Sequence, residues 1–462
     1  MARSVLILAA NALVALVAAA PAAADTFVVT KRGDPAPDGC KPRDCSLREA
    51  VLRASTHPGR DVIELPSGRK PYTLTRVGSN EDAGITGDLD ISNHPLVIRH
   101  PGKGRATVDG GSLDRVFEVF AGAPTRFRKL VITGGSATGV DSGGGIRSEA
   151  LIKVIGSRIA GNSATRRGGG IELADDAGLR LTGSTVAGND AGFSGGGIDT
   201  NDSLIEIRRS RISGNRAAIG SGGGLFNDSA SKPGLRIIET TIARNRSELD
   251  GGGVYLSGPA PLRIAGSTIS GNRSGRGGGL FATVAKPRLA NSTVASNQAT
   301  GTGGGIFHAS DDFPIALNAV TVARNVADAD ADGSGSGGGL FRNDSAAFEV
   351  ENSLIALNRL GSGERNDCDQ GAFLEFDSLG HNLISFIGMS DCRGFDRPTD
   401  LLRAPRIGKL KRNGGPTQTI ALRKGSPAIN NAKRSTAPKK DQRRRKRGRK
   451  KDIGAFERST GR

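Results

Sequence analysis

Apolar and polar residues alternate with a period of two in short stretches along most of the chain. Leu179 and Leu181 flank a polar residue in this way, as do Leu262 and Ile264. This period is that of a β-strand with one buried face, and not that of a helix. Gly, Asn and Ser separate the stretches and favour turns. The pattern therefore predicts many short strands joined by tight bends.

Two motifs repeat in phase through the middle of the chain. One is a Gly-Gly-Gly triplet followed by Ile, Leu or Val, with starting points 25 to 34 residues apart. The triplets begin at Gly143, Gly168, Gly195, Gly222, Gly251, Gly277, Gly303 and Gly337. The other is a β-branched or apolar pair followed by two variable residues and then Asn. Its asparagines are Asn162, Asn189, Asn215, Asn245, Asn272, Asn297, Asn325 and Asn358.

A repeat of about 27 residues made of such short strands fits one coil of a right-handed parallel β-helix, whose coils stack about 4.8 Å apart. A leucine-rich repeat has a similar period, but its Leu-x-x-Leu-x-Leu frame is missing. Three less regular coils precede the repeats, which predicts about 11 coils and a rod of roughly 50 Å. Glycine would accept positive φ at the bends, and the asparagines would form a hydrogen-bonded ladder.

The ends of the chain predict export and four segments. An apolar run from Val5 to Ala20 follows Arg3, so residues 1–24 read as a cleaved secretory signal, with an uncleaved anchor as the alternative. Residues 25–60 would form an N-terminal cap, 61–395 the β-helix and 396–462 a basic C-terminal segment. No further stretch is long enough to cross a membrane. We expect a secreted or cell-surface monomer.

The cysteines form two sequence-local pairs. Cys40 lies close to Cys45, and Cys368 lies near Cys392. Export favours two disulfides over free or metal-bound thiols, because no other Cys or His clusters beside either pair. We therefore predict that the first bridge pins the N-terminal cap and the second a loop near the last coil.

The net charge of +18 is concentrated at the C-terminus. From Arg403 to Arg462 there are 21 Lys and Arg but only three acids, so the preceding residues sum to zero. Such a run is typically disordered and solvated. It is expected to contact anionic envelope polymer or, without base specificity, nucleic acid. The densest part lies between Lys439 and Lys451, and the candidate contacts are Arg443, Arg444, Arg445, Lys446 and Arg447.

The position after the apolar residue of each triplet motif should point outwards. It holds Phe226, Tyr255, Phe281, Phe307 and Phe341 on successive coils. Exposed rings in a row would offer faces for stacking against sugars. The alternatives are that a turn covers the rings or that they form an internal stack.

The same position holds Glu172 and Asp199 on two consecutive earlier coils. Two carboxylates one coil apart would suit a retaining glycosidase, or Ca²⁺ binding in a polysaccharide lyase with an arginine as base. The alternative is a pair of solvated surface acids. The sequence shows no convergent group of acids with a positioned Arg or Lys, and the five histidines are not spaced for a metal or a triad. No cofactor is expected unless the lyase hypothesis holds.

Terminal motifs add a family resemblance. The stretch Cys45-Ser46-Leu47-Arg48-Glu49-Ala50 resembles the CSLREA motif found at the N-terminus of bacterial secreted proteins. The glycine and asparagine repeats are similar to those of polymorphic outer-membrane proteins and of pectin-lyase-like β-helices. The end resembles the choice-of-anchor-Q segment in its matching pieces, Asn413–Thr417, Gly425–Ile429, Asp441–Arg443 and Asp452–Glu457. It departs from that pattern at Arg444, where a glycine is usual, and lacks the extra cysteine pair.

The resemblance implies a secreted or surface β-helix without a defined activity. Three hypotheses follow. The preferred one is a non-enzymatic protein that binds glycan or an anionic envelope component. A polysaccharide lyase or glycoside hydrolase is the second, and a structural spacer is the third; fold analogy alone is a weak argument for activity.

Overall fold

The chain folds into a parallel β-helix, seen here in a computed structural model. The structure describes residues 24–79, 81–229, 234–259, 261–371, 374–386 and 392–458. The expected signal peptide lies outside the described residues except for Ala24. Within these ranges four parallel sheets run along the stack, with 11, 13, 13 and 9 strands. No helix among the described residues is long and apolar enough to span a membrane.

Nine successive coils of the described residues visit sheets 1, 2, 3 and 4 in that order, and the first and last coils include sheets 1 to 3. Sheet 1 contains Leu89–Ile91, Phe117–Val119, Ile146–Ser148, Ile171–Leu173, Ile198–Asn201, Leu225–Asp228, Val254–Ser257, Leu280–Thr283, Ile306–Ala309, Leu340–Arg342 and Cys368–Gln370. Sheet 2 contains Thr26–Val28, Asp61–Glu64, Leu96–Arg99, Thr125–Arg128, Leu151–Ile155, Gly178–Thr182, Leu204–Arg208, Leu235–Ile238, Pro261–Ala265, Lys286–Ala290, Ile315–Asn318, Phe348–Glu351 and Asp377–Ser378.

Sheets 3 and 4 complete the coil. Sheet 3 contains Tyr72–Thr73, Ala106–Asp109, Leu130–Thr133, Arg158–Ala160, Thr185–Ala187, Arg211–Ser213, Thr241–Ala243, Thr268–Ser270, Thr293–Ala295, Thr321–Ala323, Leu354–Ala356, Leu383–Ile384 and Leu401–Leu402. Sheet 4 contains Ser136–Ala137, Ser163–Ala164, Asp190–Ala191, Arg216–Ala217, Arg246–Ser247, Arg273–Ser274, Gln298–Ala299, Val326–Ala327 and Arg359–Leu360.

The repeat sets the register, so equivalent residues lie directly above one another. Ile146, Ile171 and Ile198 pair in sequence across sheet 1 and are fully buried. Apolar residues from sheets 1, 2 and 3 fill the interior as one continuous core. Alternate residues point outwards because successive side chains of a strand face opposite sides.

The predicted asparagine ladder is confirmed. The side-chain amide of Asn245 donates to Oδ1 of Asn272 at 3.0 Å, and that of Asn272 donates to Asn297 at 2.9 Å. Each rung also donates to a core-strand carbonyl, as Asn272 does to Ile242. The glycine triplets lie beside this ladder. Gly222 has a φ of 69°, and a Cβ on either following glycine would collide with the next coil.

A helix and a disulfide close the N-terminal end. The helix Leu47–Thr56 packs on early strands of sheets 1 and 2, and Ser46 caps it in a capping box with Glu49. Arg48 is buried and forms an ion pair with Asp34 at 2.8 Å. The two predicted disulfides, Cys40–Cys45 and Cys368–Cys392, are both present.

The expectation of a solvated basic tail is wrong. A hairpin of Ile407–Lys411 with Thr419–Leu422, and the residues up to 458, pack along the outer face of sheet 3. Threonines of that sheet act as its hydrogen-bonding partners. Thr268 Oγ1 donates to the carbonyl of Gln418 at 2.6 Å, and Thr293 Oγ1 donates to the side chain of Gln442 at 2.6 Å.

Two of the five proposed polymer contacts are consequently buried. Arg443 pairs with Asp441 at 2.6 Å, and its guanidinium lies 3.6 Å from the centre of the Phe456 ring. Arg447 pairs with Glu457 at 3.1 Å, and burial lowers its pKa. These two arginines hold the segment together. Exposed Arg444 pairs with Glu239, which leaves Arg445 and Lys446 as exposed candidates without an ion pair among the described residues.

Candidate functional site

One outward row of side chains follows the whole length of sheet 1. Pairing in register places charged residues on the first five strands and aromatic residues on the next five. The row consists of Asp90, Glu118, Arg147, Glu172, Asp199, Phe226, Tyr255, Phe281, Phe307 and Phe341, and ends at Asp369.

The aromatic half of the row is stacked on itself. Ring centroids of successive residues are 4.7, 5.3, 4.8 and 5.3 Å apart, with interplanar angles of 3° to 14°. Phe281 and Phe307 are only 4% and 2% exposed, and the guanidinium of Arg276 lies over both. The ring faces therefore contact one another, which leaves mainly ring edges for any sugar.

The charged half opens into a cleft of about 640 Å³. Eight acids and four arginines dominate its walls. The lining residues are Glu81, Asp82, Asp88, Asp114, Arg115, Glu118, Phe120, Val140, Asp141, Ser142, Arg147, Glu149, Arg166, Arg167 and Glu172. This is the convergent group of acids with positioned arginines that sequence reasoning did not find.

Two arginines organise the acids of the cleft. Arg115 contacts Glu118 at 2.6 Å, Asp141 at 3.2 Å and Asp88 at 3.3 Å. Arg147 pairs with the opposite oxygen of Glu118, and its Nε lies 3.7 Å from Oε2 of Glu172. That oxygen of Glu172 is buried and accepts no hydrogen bond from any described residue. Such an oxygen can accept a hydrogen bond from a donor group of a bound ligand.

Burial is the main cause of the raised pKa values of the carboxyl groups in and beside the cleft. It raises the pKa of Glu172 to about 7, with the charge of Asp199 adding to the rise and Arg147 opposing it. Burial and the neighbouring Asp90 raise the pKa of Asp88 to about 9, and burial with Glu118 raises that of Asp90 to about 7. Carboxyl groups held partly protonated near neutral pH are a feature of functional clefts.

The two sequence candidates do not face the cleft together. Glu172 lines it, whereas Asp199 is 1% exposed and accepts a hydrogen bond from Ser194 Oγ. Burial raises the pKa of Asp199 to about 6. Asp199 therefore acts on Glu172 through its charge and does not reach the open space. This geometry does not suit an acid and nucleophile pair on adjacent coils.

One group of acids in this region has the arrangement of a cation site. Ligand oxygens of Asp88, Asp90 and Glu118 lie within 4.8 Å of one another, and all three residues are buried. Both carboxylate oxygens of Asp90 accept no hydrogen bond within the described part of the chain. Carboxylate oxygens are the ligands that Ca²⁺ prefers. A second acidic group, Asp328, Asp330 and Asp332, lies in a loop outside the cleft.

The N-terminal cap positions one wall of the cleft. The Arg48 guanidinium donates to the carbonyls of Gly84, Gly87 and Asp88 at 2.7 to 2.9 Å. The loop that carries Asp88 is thereby fixed to the capping helix. Sequence reasoning missed this site because its acids come from irregular coils and loops, where no repeat relates their positions.

One of three comparisons with known proteins, that with family models, agrees with the architecture. A family model described as "Right handed beta helix region" matches residues 125–327. A crystal structure of pectate lyase Pel9A is 13% identical, with a TM-score of 0.44, over 95% of this chain and 97% of that one. No curated protein matches. The parallel sheets and the family model together show that the fold is a right-handed parallel β-helix.

Proposed function

We propose that the protein is an exported or surface-attached β-helix that binds carbohydrate in the charged cleft of sheet 1. The observation that carries this proposal is the buried Oε2 of Glu172, which lies 3.7 Å from Nε of Arg147 in the cleft and accepts no hydrogen bond from any described residue. Carboxylates accept hydrogen bonds from sugar hydroxyls, and arginines donate to ring and hydroxyl oxygens. Two disulfides fit an oxidising compartment.

The charge of the cleft restricts which class of sugar it can bind. Acids outnumber arginines, so a neutral or amino sugar suits the cleft better than an unpaired uronate. The stacked aromatic row extends the same face and offers ring edges beyond the cleft. The ligand is therefore expected to lie along sheet 1, with its polar groups over Glu172 and Arg147.

Calorimetry of the purified mature chain with neutral and amino-sugar oligosaccharides tests this proposal. At pH 8, where Glu172 is mostly ionised, Glu172→Gln and Arg147→Gln should each weaken binding about tenfold or more, since hydrogen bonds to charged groups contribute roughly 1.5–3 kcal/mol. Glu364→Gln, in an exposed loop outside the cleft, is the control. Unchanged binding in both cleft variants would refute the assignment. No binding by the wild type to any sugar would favour the structural spacer.

Cleavage of a bound chain is a second candidate, favoured by the pKa of Glu172 near 7, which suits a proton donor. Glu118 lies two coils away, about 10 Å along the stack, closer to the separation of an inverting pair than of a retaining one. In a lyase, Asp88, Asp90 and Glu118 would hold Ca²⁺. Release of reducing ends or unsaturated products, measured with and without Ca²⁺ and lost in Glu172→Gln, would establish this activity.

A further inference from the structure

A second outward row, on sheet 2, is mainly positive from Arg126 to Arg288 and continues through Ala316 to Glu349 and Asp377. Strand pairing aligns Arg126, Lys153 and Arg180 on three successive coils, and then Arg236, Arg263 and Arg288 on three more. Glu206 lies between the two sets in the same register. We call these six cations the sheet 2 cationic row. It spans roughly 30 Å at about 4.8 Å per coil.

The six cations form no ion pair with any described residue, although Glu206 lies beside Arg180 and Arg236 in the register. Arg208 already pairs with Glu206, and none of the six cations has a carboxylate within 4.0 Å among the described residues. Arg180, Arg236, Arg263 and Arg288 are exposed, and the N-terminal pair Arg126 and Lys153 is half-buried. Together with burial, the charges of Arg126, Arg180 and Arg60 lower the pKa of Lys153.

Such a row is unfavourable for the isolated protein. Like charges directly opposite on neighbouring strands destabilise a sheet. The opposite charges of Asp190 and Arg216, paired in register on sheet 4, show that the same fold also places acids beside arginines. A bound polyanion would reduce the repulsion within each set of three aligned cations by neutralising their charges.

We propose that the sheet 2 cationic row is a binding site for a linear acidic polysaccharide, with one carboxylate or sulfate per sugar facing each cation. The coil spacing is comparable to the length of one sugar residue, so the rungs can follow such a chain in step. Nucleic acid fits less well. B-DNA phosphates follow at 3.4 Å per strand, and single strands bind on aromatic platforms, which this row does not include.

This site is independent of the cleft proposed above, because it occupies another sheet and attracts ligands of opposite charge. The two faces also explain how a β-helix with no net charge over its first 402 residues can bind anions. Acids are concentrated on the N-terminal half of sheet 1, and cations are concentrated on sheet 2.

Sheet 4 offers a matched control. Arg216, Arg246 and Arg273 are also aligned in register, but Arg216 pairs with Asp190 at 3.3 Å and Arg246 with Glu248 at 4.0 Å. Replacing three arginines by Gln on either sheet changes the net charge equally. Only the change on sheet 2 should remove the proposed site.

The test measures binding of the full mature chain to immobilised polygalacturonate, dextran sulfate, uncharged dextran and a short DNA duplex. We expect binding to at least one acidic polysaccharide, weakened between about 50 and about 200 mM salt. Binding to polygalacturonate alone assigns carboxylate, and binding to dextran sulfate alone assigns sulfate. The Arg236→Gln/Arg263→Gln/Arg288→Gln variant should lose roughly 100-fold in affinity, at roughly fivefold per cation near an anionic surface.

Controls make the result decisive. The sheet 4 triple variant and Glu364→Gln should bind within about threefold of wild type, and replacing the three sheet 2 arginines by Lys should preserve binding because the charge remains. The proposal is overturned by equal losses in the two Gln triple variants, by failure of wild type to bind either acidic polysaccharide, or by tighter binding to DNA. Thermal unfolding verifies that each variant is folded.

Discussion

The raised pKa of Glu172 predicts how pH changes the stability of the protein. Burial raises this pKa from 4.5 to about 7, so the folded state holds the proton more tightly than the unfolded state does. This contribution to stability is fully present below pH 4.5 and is lost as the pH rises through 7. At 1.36 kcal/mol per pH unit, the loss from this one group is about 3 kcal/mol.

Glu172→Gln isolates that contribution, because the amide stays neutral at every pH. Arg147 keeps its pairs with Glu118 and Glu149 in the variant, so no arginine is left without a partner. We expect wild type and variant to be equally stable near pH 4.5. At pH 8 the variant should be more stable by about 3 kcal/mol, since it has no buried charge to accommodate at this position.

Urea unfolding followed by far-UV circular dichroism at pH 4.5, 6 and 8 measures the difference. Asp88 and Asp90 also have raised pKa values, so both proteins should lose stability with rising pH. Only the difference in unfolding free energy between wild type and Glu172→Gln reports on Glu172. The Glu364→Gln control should be as stable as wild type at each pH. A variant as pH-sensitive as wild type, or less stable than wild type at pH 8, would refute the assignment of a neutral, buried Glu172.

Three further substitutions test other parts of the fold. Asn272→Ala should lower the free energy of unfolding by about 3 kcal/mol or more, because two donors of Asn245 lose their acceptor; thermal unfolding measures this. Phe281→Ala should lower it by about 3 kcal/mol through the loss of two ring contacts, whereas Phe193→Ala, half exposed, should change it little. Arg447→Met leaves Glu457 buried without its partner, costs about 3–5 kcal/mol and should expose the C-terminal segment to limited proteolysis.

The parts of the structure that the sequence predicted are those that repetition controls. The spacing of Gly222, Gly251 and Gly277 corresponds to one coil each, so sequence position translates directly into register. The asparagine ladder is predicted in the same way, because the asparagines repeat in phase with the glycine triplets. The repeat predicts that outward residues such as Phe226 form a row. Their mutual stacking depends on side-chain torsion angles, which the repeat length does not determine.

The prediction of a disordered C-terminal segment is wrong because the count of charged residues does not show which of them form ion pairs. Ten of the thirteen residues from Lys439 to Lys451 are Lys or Arg, which is typical of a solvated chain. Only three acids lie in the last 60 residues, yet Asp441 and Glu457 pair with the two buried arginines, and Asp452 accepts bonds at its oxygens. The contacts with sheet 3 join residues about 150 positions apart, beyond what local pattern can show.

The capping helix has a consequence for how the chain behaves in concentrated solution. The first strands of the stack have backbone groups with no coil before them, and an uncovered edge of this kind templates pairing with another molecule. The helix Leu47–Thr56 lies across Leu89–Ile91, the first strand of sheet 1, and so covers that edge against pairing with a second molecule. Loss of the helix would expose this strand as a template for end-to-end association of two molecules.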